Sequence, residues 1–342
     1  MEEKDWGTRD ARGEWQPTEL PKPSPLFSVP WRPWKVLKYL FAPEGLLWPW
    51  SLFFAALAVA SWLWFTPPLA EMATFKVWWI AELYARNVVI VTLVAGAMHL
   101  RLYTAKGQGT RFKYTNKWLA RNDSSFLFRS QLWDNVFWSL VSGCLTWTAW
   151  EAVTMWLYAT GRIPMVDFRA HPVYGVLIMI SVIFLRQLHF YWVHRLIHWK
   201  PLYGISHYLH HKNINIGPWS GLSMHPLEHL LYFSGVLFHW IIPSPPMAAV
   251  FHLLHAGATP ALGHTGFHKF TSNRTEKGLM ADNYFHYLHH RFFTVNFGTD
   301  VVPLDKWFGS FHDGSPEAHA AMMARRRKAR SAMTDEETVK KG

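Results

Sequence analysis

The sequence predicts an all-α integral membrane protein, with four transmembrane helices and a re-entrant hairpin capped by a cytoplasmic, His-rich helical domain. Three observations predict it. Of 342 residues, 17% are charged and 50% hydrophobic, a charged share well below the quarter or so of a soluble domain. Uncharged runs edged with tryptophan recur over the first 193 residues. Sixteen of the 20 histidines lie between His189 and His290. The 21 Trp and 24 Phe exclude disorder, and a lone cysteine, Cys144, excludes a disulfide framework and any zinc site built on several thiolates. A metal here must use His, Asp or Glu. The formal charge of +11 suits anionic headgroups as well as nucleic acid, but no folded nucleic-acid motif accompanies it.

Residues 1–44 read as a mobile cytoplasmic arm leading to an interfacial anchor, with Pro17, Pro21, Pro23 and Pro25 ahead of Trp31 and Trp34. No signal peptide is read ahead of it. Residues 45–193 hold the spans. Gly45 to Ala70, between Glu44 and Glu71, is 26 residues without charge, long enough to cross a bilayer. Val77 to Leu100 carries Glu82 and Arg86 at i,i+4, where each is expected to neutralise the other. Val136 to Thr160 is interrupted by Glu151, and Val173 to Val193 by Arg186. The basic segment from Arg101 to Arg129 is placed in the cytoplasm by the positive-inside rule, so both termini lie inside and the fourth span ends inside at His194. This fits a bacterial inner membrane or the endoplasmic reticulum.

Residues 194–315 form the expected catalytic domain. Within it, residues 230–263 are a re-entrant hairpin, because about a dozen apolar residues precede Pro243-Ser-Pro-Pro246 and about sixteen follow, too few on either side to span. Residues 316–342 are a basic tail, read as solvated and frayed.

The histidines are patterned: His194-Arg-Leu-Ile-His198, His207-Tyr-Leu-His210-His211 and His286-Tyr-Leu-His289-His290. Spacings of i,i+3 and i,i+4 put imidazoles on one helical face, where their nitrogens converge. Imidazole suits zinc, copper, iron and nickel. Eight ligands are twice what a structural zinc needs, so two metal ions fit the count. His264 and His268 repeat the i,i+4 spacing and would complete a ten-histidine shell. His225, Glu228, His229 and Asn283 are candidates to orient those imidazoles from behind. His189, His239, His252 and His255 read as core imidazoles. Trp219 and Phe292, each within about eight residues of an HxxHH box, are the candidates for the wall of a substrate pocket.

The run Phe190 to His198, the two HxxHH boxes, His225-Pro-Leu-Glu228 and the closing Asp305-Lys-Trp-Phe-Gly309 resemble the sterol desaturase / fatty acid hydroxylase superfamily over about residues 173 to 315. The family often carries an acidic residue before the first box, where this chain has Arg186, Gln187 and His189. The resemblance implies a membrane-bound non-haem diiron oxygenase that hydroxylates or desaturates a lipid, a sterol or fatty acyl lipid for instance, with O₂. It implies His194, His198, His207, His210, His211, His286, His289 and His290 as ligands of two Fe ions, with His264 and His268 between them. Zinc can substitute for iron at such imidazole sites. The sequence shows neither a dinucleotide fingerprint nor a CxxCH haem site, so electrons are expected from a separate reductase, ferredoxin or cytochrome. Two other classes compete. A zinc-dependent membrane hydrolase lacks its HExxH arrangement here, and a metal transporter or binding protein would carry its histidines within the spans.

Overall fold

The computed structural model describes residues 6–21, 24–42, 45–272, 275–281, 283–299 and 301–339. Pro23 and Glu44, used above to delimit the arm and the first span, lie outside these residues. The described chain is mostly helical, with two short antiparallel ribbons: β1 (Gly7–Arg9) with β2 (Trp15–Pro17), and β3 (Lys269–Ser272) with β4 (Thr275–Met280).

The N-terminal half supplies α1 (Pro33–Phe41), α2 (Trp50–Trp64), α3 (Val77–His99), α4 (Gln131–Phe137), α5 (Cys144–Ala159) and α6 (Pro172–Ile197). A π turn continues α3 to Thr104, and another joins α4 to α5. Among the described residues, two helices are long and apolar enough to cross a membrane, Val77–Thr104 and Pro172–Ile197, while Trp50–Trp64 is apolar but shorter.

Arg86, within the apolar helix α3, is paired, but not as the i,i+4 spacing predicts. Arg86 reaches across to Glu151 on α5, with Nη2 at 2.6 and 2.5 Å from the two carboxylate oxygens. Thr66 and Asn87 accept further bonds from the same guanidinium. Glu82 is exposed. Arg86 is buried and needs an equally buried partner, which a neighbour on its own helix's outer side does not offer.

The C-terminal half begins with α7 (Tyr208–His211) and α8 (Pro226–Phe233), then continues through α9 (Pro246–Ala258), α10 (Tyr284–Phe292) and α11 (Pro316–Val339). Segment 226–263 is a helical hairpin. Short helical turns carry α8 on to Ile241, the chain turns at Pro243–Pro245, and α9 runs back. Pro246 suits the first position of α9, where no amide hydrogen is needed. Every residue of α9 is buried, and it packs against α2, α3, α5 and α6. Ser244 at the turn is fully buried and bonded to Tyr158 and His239, both at 2.9 Å.

The arm differs from its expected mobility. Trp15 is 2% exposed, donates its amide to Tyr114 O at 2.8 Å, and packs edge-on to Phe112. Glu14 accepts from the Tyr287 hydroxyl on α10. A buried indole outweighs the local proline content. The C-terminal tail is helical to Val339, and Arg326 is held by Phe292 O and Thr294 Oγ1.

Candidate metal centre

His194 and His198 lie one turn apart at the end of α6. A π turn at Tyr203–His207 leads into α7, which carries His210 and His211; π turns concentrate at functional sites because they re-aim side chains. His286, His289 and His290 share α10. That helix stops at Phe293, which adopts a left-handed φ of 65° unusual for a bulky residue and lets the chain turn back.

Nine of the ten expected ligands converge, in two groups: His194, His198, His207, His211 and His289 in one, His210, His264, His286 and His290 in the other. Within each group the candidate nitrogens lie within 4.8 Å of one another. Each HxxHH box serves both groups. Adjacent histidines diverge by about 100° around a helix, so His210 turns to one group and His211 to the other, and likewise His290 and His289.

His268 joins neither group. The i,i+4 spacing from His264 is not helical here, because the chain turns at Gly266 with φ of 75°. Its Nδ1 lies 3.3 Å from the Tyr114 hydroxyl, and its ring packs on Trp15 at 5.2 Å.

The donor set fits metal cations. His264 Nδ1 lies 2.9 Å from Pro260 O and His210 Nδ1 lies 3.2 Å from Ser223 O. A carbonyl only accepts, so both Nδ1 atoms carry the proton and both Nε2 atoms are bare lone pairs. Those two Nε2 atoms face each other at 3.3 Å. His194 and His289 repeat the pattern in the other group, with Nδ1 at 2.6 Å from Phe297 O and 2.6 Å from Val295 O. Lone pairs aimed at one small volume repel unless a cation lies between them. Neighbouring Nε2 atoms across both groups are 2.9 to 3.3 Å apart. Two imidazoles bound at right angles to one ion at about 2.1 Å would be about 3.0 Å apart.

The surroundings keep these rings neutral, the form that binds metal. Burial, aided by neighbouring imidazoles, holds His207, His211, His264, His286, His289 and His290 well below the usual histidine range. Burial brings His210 down to about 4.

Of the four residues expected behind the ligands, Glu228 touches one: its Oε1 lies 2.7 Å from His207 Nδ1. Burial pushes this carboxyl well above its ordinary range. His225 instead caps α8, its Nδ1 accepting from Leu227 N at 3.2 Å. His229 braces Ser142 at 2.9 Å and Leu222 O at 3.1 Å. Asn283 bonds the Tyr114 hydroxyl, Leu262 O and Thr265. A supporting residue not singled out in the sequence for this role is Asp305. Its carboxylate accepts from the amides of Phe297 and Gly298 at 2.9 and 2.7 Å, fixing the loop whose carbonyl holds His194. Its place in the closing Asp-Lys-Trp-Phe-Gly run was the available signal.

A cavity of about 250 Å³ opens onto His194, His207, His210, His264 and His286. Its apolar wall includes Phe54, Ile183, Phe190 and Met224. Trp219 and Phe292, expected in this wall, lie elsewhere. Trp219 packs beside Gly96 and lines a small void with Val91 and Leu222. Phe292 packs tilted against His312 at 4.9 Å, on a face of α10 turned from the ligands. Closeness along the chain does not set facing direction on a helix.

Comparison with known proteins agrees with this geometry. Residues 179–310 match the fatty acid hydroxylase family, and over less than half of its length the chain is similar to sterol desaturases. The chain is 31% identical over 134 residues to the Delta(7)-sterol 5(6)-desaturase ERG3B of Gibberella zeae, covering 38% of this chain and 40% of the relative. It is 28% identical over 188 residues to the Delta(7)-sterol 5(6)-desaturase erg3C of Aspergillus fumigatus, covering 47% and 58%. It is 27% identical over 166 residues to the Delta(7)-sterol-C5(6)-desaturase of Nicotiana tabacum, covering 46% and 56%. The chain thus spans about half the length of these relatives. No solved structure matches it.

Proposed function

We propose that the protein is a membrane-bound non-haem diiron oxygenase that hydroxylates or desaturates a lipid. The observation that carries this reading is the pair of imidazole groups, with bare nitrogens facing one another, at the end of an apolar cavity. His194, His198, His207, His211 and His289 would hold one iron, and His210, His264, His286 and His290 the other. When bound, ferrous ions supply an oxidant made from O₂ and external electrons, which an unactivated C–H bond requires because it offers no acid–base handle.

The chain's own residues do the rest. Phe190, Ile183 and Met224 exclude water and hold a hydrocarbon beside the ligands. Glu228 fixes the His207 tautomer. Hydroxylation would consume one O₂, two electrons and two protons, leaving one oxygen in the product and one in water; desaturation would leave both oxygens in water. The electrons come from a separate reductase, ferredoxin or cytochrome.

In this reading the chain crosses the bilayer four times, through α2, α3, the α4–α5 unit and α6. Segment 230–263 re-enters, and the termini and metal groups face the cytoplasm, where the basic segment from Arg101 to Arg129 lies. The decisive experiment incubates the iron-loaded protein with lipid extract, a reductant and ¹⁸O₂. Product alcohol carrying ¹⁸O, or a product lighter by two hydrogens formed only with O₂, is expected. Product oxygen drawn from water, or turnover without O₂, would reject the oxygenase and favour a metal-bound hydroxide.

A further inference from the structure

The cavity has a second polar region, away from the histidine groups. Eight residues before His194 on α6, about 12 Å along the axis at 1.5 Å per residue, Arg186 faces the cavity together with Gln187, Tyr232 and His255. Helical side chains lean toward the N-terminus, which carries this guanidinium further from the level of the ligands. Arg186 Nη2 donates to the Tyr232 hydroxyl at 2.7 Å, and Tyr232 donates onward to Ala256 O at 2.8 Å. Phe190 stands between, edge-on to Tyr232 at 5.9 Å and stacked on His194 at 4.8 Å.

Three polar atoms of this cluster have no partner among the described residues: Arg186 Nε, Gln187 Oε1 and His255 Nδ1. Gln187 is 7% exposed and His255 6%. No ion pair among the described residues includes Arg186. Glu228, the one acid among the described lining residues, is already bonded to His207. Arg186 is half-buried as a whole, but its Nε is buried without a partner and its Nη2 has only a phenol; an anionic oxygen supplied by a ligand would match these donors.

We propose that Arg186, Gln187 and His255 bind the carboxylate of a fatty-acid-type lipid, so that a carbon well along the chain meets the histidines. This deepens the oxygenase reading and rests on the cavity being the lipid site. A carboxylate has about four lone-pair positions. It takes Arg186 Nε–H and an Nη–H as a fork and His255 Nδ1–H from the side, and Gln187 donates once its amide turns end for end. A sterol held here by its ring-A hydroxyl would present the C5–C6 bond, a few bonds away, at the level of Arg186 and not at the histidines.

The test is binding, read apart from turnover. Metal-loaded protein in detergent micelles is titrated with palmitate, hexadecan-1-ol, methyl palmitate and cholesterol by calorimetry, with metal content measured on every sample. Palmitate should bind at least about tenfold more tightly than its methyl ester or the alcohol, as a charge-assisted fork requires. R186Q should bring palmitate to the level of the ester with metal content unchanged, and R186K should keep part of the difference. Equal affinity for acid and ester, an R186Q protein that still prefers the acid, or cholesterol binding above palmitate would each overturn the proposal. If R186Q does not fold, the wild-type comparison and Q187L, which keeps the charge and should lose severalfold, decide it. A protein that selects palmitate but oxidises no lipid would reject the oxygenase reading and leave this site standing.

Discussion

His207 and Glu228 form a buried pair, Nδ1 to Oε1 at 2.7 Å, with side-chain exposures of 1% and 3%. The glutamate belongs to α8, so the first arm of the hairpin aims a ligand held on a different segment. Carboxylates behind a ligand imidazole fix its tautomer and raise its basicity, and their loss costs about 10- to 100-fold in metal affinity. E228A should weaken metal retention by that factor in a competition with chelator. E228Q should be milder, because its carbonyl still accepts from Nδ1–H. Unchanged retention in E228A would show that the pair is packing alone.

The division into two groups predicts separable losses. H289A should release the metal of its five-histidine group and keep the other, and H286A the reverse. Elemental analysis should read about one ion per chain in each, against about two in the parent. H268A should retain both, since that ring rests on Trp15 and Tyr114. Loss of both ions from each single variant would mean one coupled site, and loss of metal from H268A would return it to the ligand set.

The convergence of the histidines was largely legible in the sequence, and the lining of the cavity beside them was not. Spacings within a helix fix relative direction, so His194 with His198, and each HxxHH box, already point to convergence. The pairing of boxes into two groups was hidden because it depends on how α6, α7 and α10 meet. His268 shows the limit of spacing: five residues read as a helical turn can instead contain Gly266 at positive φ. Trp219 and Phe292 were chosen by nearness along the chain. The actual wall draws on Phe54, Ile183, Phe190 and Met224, residues up to 170 positions apart that ordinary core apolar residues resemble. Glu151 and Arg86 show the same at the level of the fold, since each interrupts an apolar run in the sequence and only the packing of α3 on α5 shows that they cancel.

Stability should fall in acid through groups outside the ligand set. Burial lowers His268 to about 4 and His229 to about 3, whereas an unfolded histidine titrates near 6.5. Between those values the unfolded chain binds protons that the native chain refuses. Native stability therefore rises with pH through this window, is complete above about 6.5, and is lost as pH drops toward 4, by about 1.4 kcal/mol per pH unit for each such ring. Thermal denaturation in detergent from pH 7.5 to 4.5 should show this slope, and H268F should reduce it by about one proton. A midpoint that stays flat or rises in acid would contradict the assignment.

The Arg86–Glu151 pair sets a test of the apolar bundle. Removing one member leaves the other charge buried, a loss of about 3 to 5 kcal/mol. R86M should therefore lower the denaturation midpoint sharply. R86M/E151L, which removes both charges, should recover most of the loss, while E82A should change little because Glu82 is exposed. Destabilisation by E82A comparable to R86M would restore the i,i+4 pair within α3.

Substrate position should answer to Phe190 and not to Trp219 or Phe292. Phe190 stacks on His194 at 4.8 Å and meets Tyr232 edge-on at 5.9 Å, so its ring separates the histidine end of the cavity from Arg186. Truncating it to alanine widens the passage without removing a ligand. Buried aromatic truncations cost about 3 to 5 kcal/mol, so F190L is the companion variant that keeps most of the volume. Both should retain metal and shift which carbon is oxidised or which chain length is accepted, read by mass spectrometry of the products. W219A and F292A should leave the product pattern as it is, because Trp219 lies against Gly96 and Phe292 against His312. A changed product pattern in F292A with none in F190A would move the substrate path to the other face of α10.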